Sequence, residues 1–386
     1  MAMERKHWLD NIRWVTVLLV LFYHVIYFYN AKGVFGGIGG FYETQPWDAI
    51  MSILYPWFMM LLFLVAGISS KYSLSGSEGD THRRFIKDRT RKLLVPSTIG
   101  LLVFQWMTGY FNTQVAGVDV LSSVPQPVKH ILRAFSGIGP LWFIQDLWLF
   151  SLLLVLIRKI EKGKLHERIG RLFQKPSMGL TIGLVVVGYL LILAGAQCSI
   201  SHPNPESADG LWNLYRPLAY FVPFLLGYFV FSHESVQEMI AKIRIPVLIA
   251  AVVTGSIFTV MMYGKNDTDP IVLKGWLCNL YAWFAMLAML GCFKAWADTT
   301  SPFATYMTRS SFGIYIVHYL VVASLGYMMK RYTSLAPWMM YVILFFAVML
   351  LSPAIYEIVR RIPFVRWCVL GVKKTEDRRQ KTEVRL

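Results

Sequence analysis

The sequence predicts an all-α polytopic membrane protein of about ten transmembrane helices, with both termini in the cytoplasm. Hydrophobic residues make up 56% of the 386-residue chain and charged residues only 16%, which is unusual for a soluble globular domain. Apolar runs of roughly 20 residues, the length that crosses a bilayer, recur along the chain. Lysine and arginine are concentrated on one side of the resulting topology. Together these observations favour a membrane solvent over water.

Ten segments have the length and the apolar character of transmembrane helices. They are predicted at residues 12–30, 48–70, 93–110, 140–157, 179–197, 211–231, 246–263, 273–293, 311–329 and 337–359. The first has no small-residue cleavage site after a short apolar region, so we expect it to be retained rather than removed as a signal peptide. Residues 1–371 are therefore predicted to form one transmembrane domain.

The connecting segments differ in charge on the two sides of the predicted membrane. Of the 38 lysines and arginines, 29 lie on the side shared by the termini and the even-numbered loops, and seven lie in the opposite loops. By the positive-inside rule the termini are cytoplasmic. The net charge of +16 thus reflects topology and argues against nucleic acid as a partner. We expect residues 372–386 to be a disordered basic tail, and the polar loops 31–47, 111–139 and 198–210 to face outward and to admit a polar partner.

Three polar side chains lie in the first span or just before it. Arg13 and His24 are eleven residues apart, which places them on nearly the same helix face and about 16 Å apart along the axis. Asp10 precedes Arg13 by three residues, a spacing that favours an ion pair. Lipid disfavours a charged imidazole, so His24 is expected to be neutral and able to act as a general base. Alternatively, Arg13 anchors the helix at the membrane surface and His24 makes an interhelical hydrogen bond.

A dense basic stretch, HRRFIKDRTRKLLVP at residues 82–96, precedes the third span. Arg89 and Lys92 lie one helical turn apart, with Arg91 between them. Guanidinium and ammonium groups in this arrangement can hold the phosphates of a nucleotide-bearing donor such as coenzyme A. Basic loops of this kind are also ordinary orientation signals, which is the alternative interpretation.

Two later spans carry further polar groups. In SSFGIYIVHYL, residues 310–320, Ser311, Tyr315 and His318 fall on one helical stripe, so two intramembrane histidines from different spans can line one cavity. Packing of His318 beside an aromatic ring is the alternative. The fourth span opens with Trp142 and contains Asp146, which can orient an imidazole, neutralise Arg13 or serve as a plain interhelical partner. The four cysteines show no metal-ligand spacing, so we expect no metal.

These motifs, in this order, resemble the membrane acyltransferase family 3 of bacteria. LDNIRWVTVLLVLFYH resembles its first-helix motif of arginine and histidine, RTRKLLVP its pair of basic residues, GPLWFIQDL its Leu-Trp-Phe segment and SSFGIYIVH its late helix ending in histidine. Lysine at position 92 departs from the family's arginine and loses its bidentate geometry. The C-terminal YEIVRRIPFVRW is similar to the branch that contains the succinyltransferase of periplasmic glucans.

The resemblance implies an integral O-acyltransferase of the bacterial inner membrane. It would move an acetyl or succinyl group from cytoplasmic acyl-CoA to a hydroxyl of a sugar or glycan, with His24 as general base or acyl carrier. The catalytic residues predicted are His24, Arg13, Asp10, His318 and Asp146. The donor-binding residues predicted are Arg89, Lys92, Arg91, Arg13, Trp142, Ser311 and Tyr315. The rival interpretation is a secondary transporter whose histidines relay protons. The sequence leaves the oligomeric state open, a homodimer included.

Overall fold

The computed structural model describes residues 5–29, 44–74, 78–115, 124–199 and 215–373, and it is helical with no strand in these ranges. The predicted loops 31–47 and 198–210 and the tail 372–386 lie almost wholly outside them. The α-helices are α1 His7–Tyr29, α2 Ala49–Leu54, α3 Phe58–Ser73, α4 Glu78–Arg89, α5 Trp106–Val115, α6 Gln126–Ser136, α7 Trp142–Glu161, α8 Lys164–Leu172, α9 Met178–Ser199, α10 Pro217–Phe229, α11 Glu234–Lys242, α12 Arg244–Met262, α13 Pro270–Lys274, α14 Trp276–Trp296, α15 Pro302–Tyr332, α16 Pro337–Arg361 and α17 Pro363–Leu370.

Proline fixes where several of these helices begin. Five of them start at a proline, which lacks an N–H and has a backbone angle already suited to the first helical position. These five are α10, α13, α15, α16 and α17. At the other end of α17, Gly371 has a positive φ of 63° and terminates the helix in the left-handed conformation that glycine adopts without steric cost.

Eight segments of the described chain are long and apolar enough to cross a membrane, which establishes an all-α polytopic membrane protein. They are His7–Tyr29, Pro46–Ser73, Gly139–Glu161, Met178–Ser199, Arg244–Met262, Trp276–Trp296, Pro302–Tyr332 and Pro337–Arg361. They match eight of the ten predicted spans. The predicted span 211–231 contains the 13-residue apolar helix α10.

The predicted span 93–110 is an irregular segment rather than one long helix. It contains two π-helical stretches, Thr90–Leu94 and Leu101–Gln105, before α5 begins. Val95 N–H donates to the Thr90 carbonyl oxygen at 3.1 Å, five residues back, and Pro96 has no N–H with which to continue an α-helix. Two side chains of α7 satisfy groups of this segment: Gln145 Nε2 donates to the Ser97 carbonyl at 3.1 Å, and Trp148 Nε1 donates to Thr90 Oγ1 at 3.0 Å.

The chain divides into two compact units. Unit 1 comprises Met1–Leu19, Pro46–His82 and Leu149–Arg309. Within it α3 and α10 pack backbone to backbone through two glycines. A Cβ on Gly67 would lie 2.0 Å from the Phe224 carbonyl oxygen, and a Cβ on Gly227 would lie 2.0 Å from that of Leu64. Small residues are what allow membrane helices this close an approach.

Unit 2 comprises Val20–Gln45, Arg83–Trp148 and Ser310–Leu386. Here α5 packs on α6, where a Cβ on Gly109 would lie 1.7 Å from the Arg133 carbonyl oxygen. Part of the predicted loop 111–139 is thus the helix α6. Among the polar residues of that stretch lies an apolar stripe with helical spacing.

Candidate active site

Two histidines of unit 2 lie side by side. Nε2 of His318 is 3.3 Å from Nδ1 of His24, and the ring centroids are 5.0 Å apart. His318 on α15 is fully buried, and His24 on α1 is half-buried. The two intramembrane histidines that were predicted to line one cavity are therefore neighbours in the structure.

Backbone carbonyls determine the tautomer of each ring. His24 Nδ1 is 2.8 Å from the Val20 carbonyl oxygen, and His318 Nδ1 is 2.6 Å from that of Tyr315. A carbonyl oxygen can only accept, so in the neutral form of each ring Nδ1 carries the proton and Nε2 carries the lone pair. The proton on His24 Nδ1 is shared between the Val20 carbonyl and His318 Nε2.

This arrangement leaves one imidazole nitrogen open for chemistry. His318 Nε2 is occupied as an acceptor for His24, whereas no described residue hydrogen-bonds to His24 Nε2. An unprotonated Nε2 can accept a proton from a hydroxyl group or attack a carbonyl carbon.

Aromatic rings surround the pair. Tyr23 and Tyr319 approach the His24 ring edge-on, with centroids 5.4 and 5.3 Å away, and Tyr315 lies 5.7 Å from His318. The Tyr315 hydroxyl donates to the Pro140 carbonyl and so fixes the start of α7 against α15. These tyrosines limit where a substrate can approach His24 Nε2.

Arg13 and its predicted partner Asp10 lie in unit 1. Arg13 Nη1 is 3.2 Å from Asp10 Oδ1, so the ion pair predicted from their spacing is present. Asp10 Oδ2 also binds Arg5 Nε at 2.8 Å, and Arg13 Nη2 donates to Ser69 Oγ. The Arg13 side chain keeps 40% of its surface exposed. Its guanidinium is held by two groups and still presents donors outward.

Of the predicted donor-binding residues of the basic stretch, Arg89 precedes the first π-helical segment of unit 2, and Arg91 and Lys92 lie within it. Arg89 ends α4, with its guanidinium carbon 5.0 Å from the centre of the Phe85 ring, and Arg91 Nη2 is 3.0 Å from Asp88 Oδ1. Lys92 is exposed. Because Arg91 and Lys92 lie in a π-helix, the one-turn α-helical spacing predicted for Arg89 and Lys92 does not apply. Irregular helices of this type are frequent at functional sites.

The remaining predicted residues also belong to unit 2. Trp142 begins α7, and Ser311 is buried on the stripe of α15 that bears Tyr315. Asp146 is only 4% exposed, and its Oδ2 has no hydrogen-bond partner among the described residues. Neither histidine bonds to it, so it does not orient an imidazole in this conformation.

Sequence reasoning missed three groups that the structure places at these residues. Tyr319 packs against His24, Gln105 Nε2 donates to the Ile316 carbonyl at 2.9 Å, and Ser69 binds Arg13. Tyr319 directly follows His318, and Ser69 is a hydroxyl inside an apolar run, so both carried a local signal. Gln105 carried the same signal as a carboxamide in an apolar run.

Comparison with known proteins gives one match. No curated protein and no solved structure matches the chain. A family model described as an acyltransferase domain matches residues 6–357, a range that contains both histidines, Arg13 and the basic stretch. This chain therefore belongs to the family of membrane proteins that carry this acyltransferase domain.

Proposed function

We propose that this membrane acyltransferase moves a short acyl group, acetyl or succinyl, from cytoplasmic acyl-CoA to a hydroxyl of a sugar or glycan, with His24 Nε2 as the reacting atom. The observation that carries the proposal is the paired-imidazole geometry. Both Nδ1 atoms are committed to backbone carbonyls, and only His24 keeps its Nε2 lone pair free of described partners.

Proton transfer follows from that tautomer. His24 Nε2 removes the proton from the acceptor hydroxyl as its oxygen attacks the thioester carbonyl carbon. The C–S bond then breaks, and the leaving thiolate of coenzyme A takes the proton from Nε2. While His24 is charged, its Nδ1–H points at the Val20 carbonyl and at the lone pair of His318, two dipoles that stabilise an imidazolium.

A covalent route uses the same atom. His24 Nε2 attacks the thioester carbonyl carbon, the C–S bond breaks and coenzyme A leaves as a thiolate. The acceptor hydroxyl then attacks the acyl carbon, the bond from that carbon to Nε2 breaks, and the hydroxyl proton passes to the thiolate. Both routes require an unprotonated Nε2, so both depend on the same tautomer.

Donor binding is proposed for the basic residues of unit 2. Arg89, Arg91 and Lys92 place three cationic groups within four residues, and Lys92 is exposed. Charge-assisted hydrogen bonds from such groups suit the phosphates of coenzyme A. The proposed role of Arg13 is to attract the anionic acyl-CoA through those guanidinium N–H groups that do not bond to Asp10 or Ser69.

The test compares two histidine substitutions on the same helix. Purified wild type, His24→Gln and His7→Gln are mixed with acetyl-CoA or succinyl-CoA and with sugar or glycan acceptors, and release of the free thiol of coenzyme A is followed together with acceptor acylation. We expect His24→Gln to lose roughly 10² to 10⁴ in turnover, the usual contribution of a general base. His7→Gln should match wild type.

Wild-type turnover by His24→Gln would refute the proposal. So would a wild type that cleaves no thioester but, in vesicles, carries a solute across the membrane, because the transporter interpretation predicts that result.

A further inference from the structure

A cavity of about 560 Å³ lies in unit 2 and is separate from the histidine pair, since neither His24 nor His318 lines it. Its walls are apolar side chains of α5, α15 and α16, among them Trp106, Leu325 and Ile355. The volume falls within the range of small-molecule sites, which is roughly 300–1,000 Å³. Among the described residues of its lining, Arg133 of α6 is the only one with a charged side chain.

Arg133 has no anionic partner within the part of the chain that the structure describes. Its guanidinium carbon lies 4.9 Å from the centre of the Tyr110 ring, and Tyr110 also lines the cavity. Nε of Arg133 is buried without a hydrogen-bond acceptor among the described residues, and no described carboxylate forms an ion pair with it. A buried charged donor without a partner costs free energy, so the site favours a ligand that brings an acceptor.

The helix that carries Arg133 has the character of a membrane-interface helix. Its residues Val128, Ile131, Leu132 and Phe135 are 43–59% exposed, and they follow the spacing i, i+3, i+4 and i+7 of a single apolar stripe. A helix with such a face lies in the interface plane and inserts the stripe between lipid molecules.

Close packing fixes the backbone of Arg133 against α5. Gly109 of α5 meets the Arg133 carbonyl oxygen with no room for a Cβ, so α6 cannot shift along α5 without losing this contact. The backbone of Arg133 is therefore held beside the apolar walls of the cavity, which suit a hydrocarbon chain.

We propose that unit 2 binds one anionic phospholipid, with the headgroup phosphate at Arg133 and an acyl chain in the cavity. Charge complementarity selects the headgroup, because Arg133 has unused donors and no described residue of the lining carries a carboxylate. The apolar walls supply the remainder of the affinity. This site goes beyond the proposed acyl transfer and requires none of its residues.

The test is native mass spectrometry of the purified full-length protein with phosphatidylglycerol or phosphatidylcholine of identical chains. Wild type is expected to retain one phosphatidylglycerol at least tenfold better than phosphatidylcholine. Arg133→Gln should lose at least tenfold in phosphatidylglycerol retention. Lys129→Gln removes the same charge from α6 at a residue that does not line the cavity, and it should stay within twofold of wild type.

A second variant keeps the proposal testable if Arg133→Gln does not fold. Ser324→Trp fills the cavity and leaves the guanidinium in place, so it should reduce retention of both lipids. Equal retention of the two lipids by wild type would overturn the proposal. Unchanged phosphatidylglycerol retention in Ser324→Trp would also overturn it, as would displacement of phosphatidylglycerol by millimolar inorganic phosphate. In either case the acyl chain of the lipid would contribute nothing to binding.

Discussion

Substituting His318 by Phe should separate the positioning of the catalytic base from the base itself. Phenylalanine keeps an aromatic ring in the space beside Tyr315 and Tyr319, whose centroids lie 5.7 and 6.2 Å from that of His318. It removes the Nε2 acceptor that lies 3.3 Å from His24 Nδ1, while the Val20 carbonyl at 2.8 Å still holds the His24 tautomer.

The size of the effect follows from what is lost. One long, shared hydrogen bond contributes about 1 kcal/mol, which corresponds to roughly a fivefold loss in kcat. His24→Gln removes the reacting nitrogen and should cost roughly 10² to 10⁴. The double variant should be no slower than His24→Gln, because His318 acts only through His24.

The assay is steady-state release of coenzyme A by detergent-purified protein. KM for the thioester should stay unchanged in His318→Phe, since the basic residues at positions 89, 91 and 92 are intact. A loss as large as that of His24→Gln would refute the reasoning, as would a double variant slower than His24→Gln by the full His318→Phe factor.

Three further changes test other parts of the account. Gly227→Val should lower the melting temperature in detergent by an amount equivalent to about 1–3 kcal/mol, because its Cβ would collide with a carbonyl oxygen of α3. Burial, with Lys71 nearby, lowers the pKa of His166 from 6.5 to about 3, so folding stability is complete above pH 6.5 and falls as the pH drops below it. At pH 5 this loss is about 1 kcal/mol after the half exposure of the ring is discounted, and His166→Gln should abolish it in pH-dependent melting. Lys92→Gln should raise KM for acyl-CoA about fivefold without changing kcat, and the gap should shrink at high salt.

Each of these three has a control or a contrary result. Gly183→Val is the matched control for Gly227→Val, because nothing lies within 4 Å of its Cβ. Equal melting of those two variants would show that the α3–α10 contact is not tight. An unchanged pH profile in His166→Gln would assign the acid lability to other groups. A fall in kcat rather than a rise in KM for Lys92→Gln would place Lys92 in the chemical step.

The long helices were predictable because the thickness of the bilayer's hydrocarbon core sets the length of an apolar helix that crosses it. Eight predicted spans coincide with apolar helical segments long enough to cross a membrane, α1 and α15 among them. The segment 93–110 differs from the prediction because its apolar pattern shows only that it can lie in a membrane. The pattern does not show that its backbone hydrogen bonds change to the π-helical spacing, which Pro96 and side chains of α7 stabilise. The sequence around helix α6 predicts a loop, because Gly, Pro and charged residues surround its narrow apolar stripe.

The site was predictable in its parts and not in its assembly. Helical spacing was sufficient to predict the Asp10–Arg13 pair, since both residues lie on α1. The approach of His318 to His24 depends on α15 packing against α1, which no local pattern encodes. The tautomers depend on that packing only in part, because each Nδ1 bonds within its own helix.

The most direct test of the central claim is the tautomer of His24, read by nitrogen NMR on protein with ¹⁵N-labelled histidine reconstituted in lipid and assigned with His24→Gln and His318→Phe. At neutral pH the account predicts a neutral His24 ring with its proton on Nδ1 and an unprotonated Nε2. A proton on Nε2, or a fully protonated ring in the resting protein, would contradict it, because the proposed base would then have no lone pair to use.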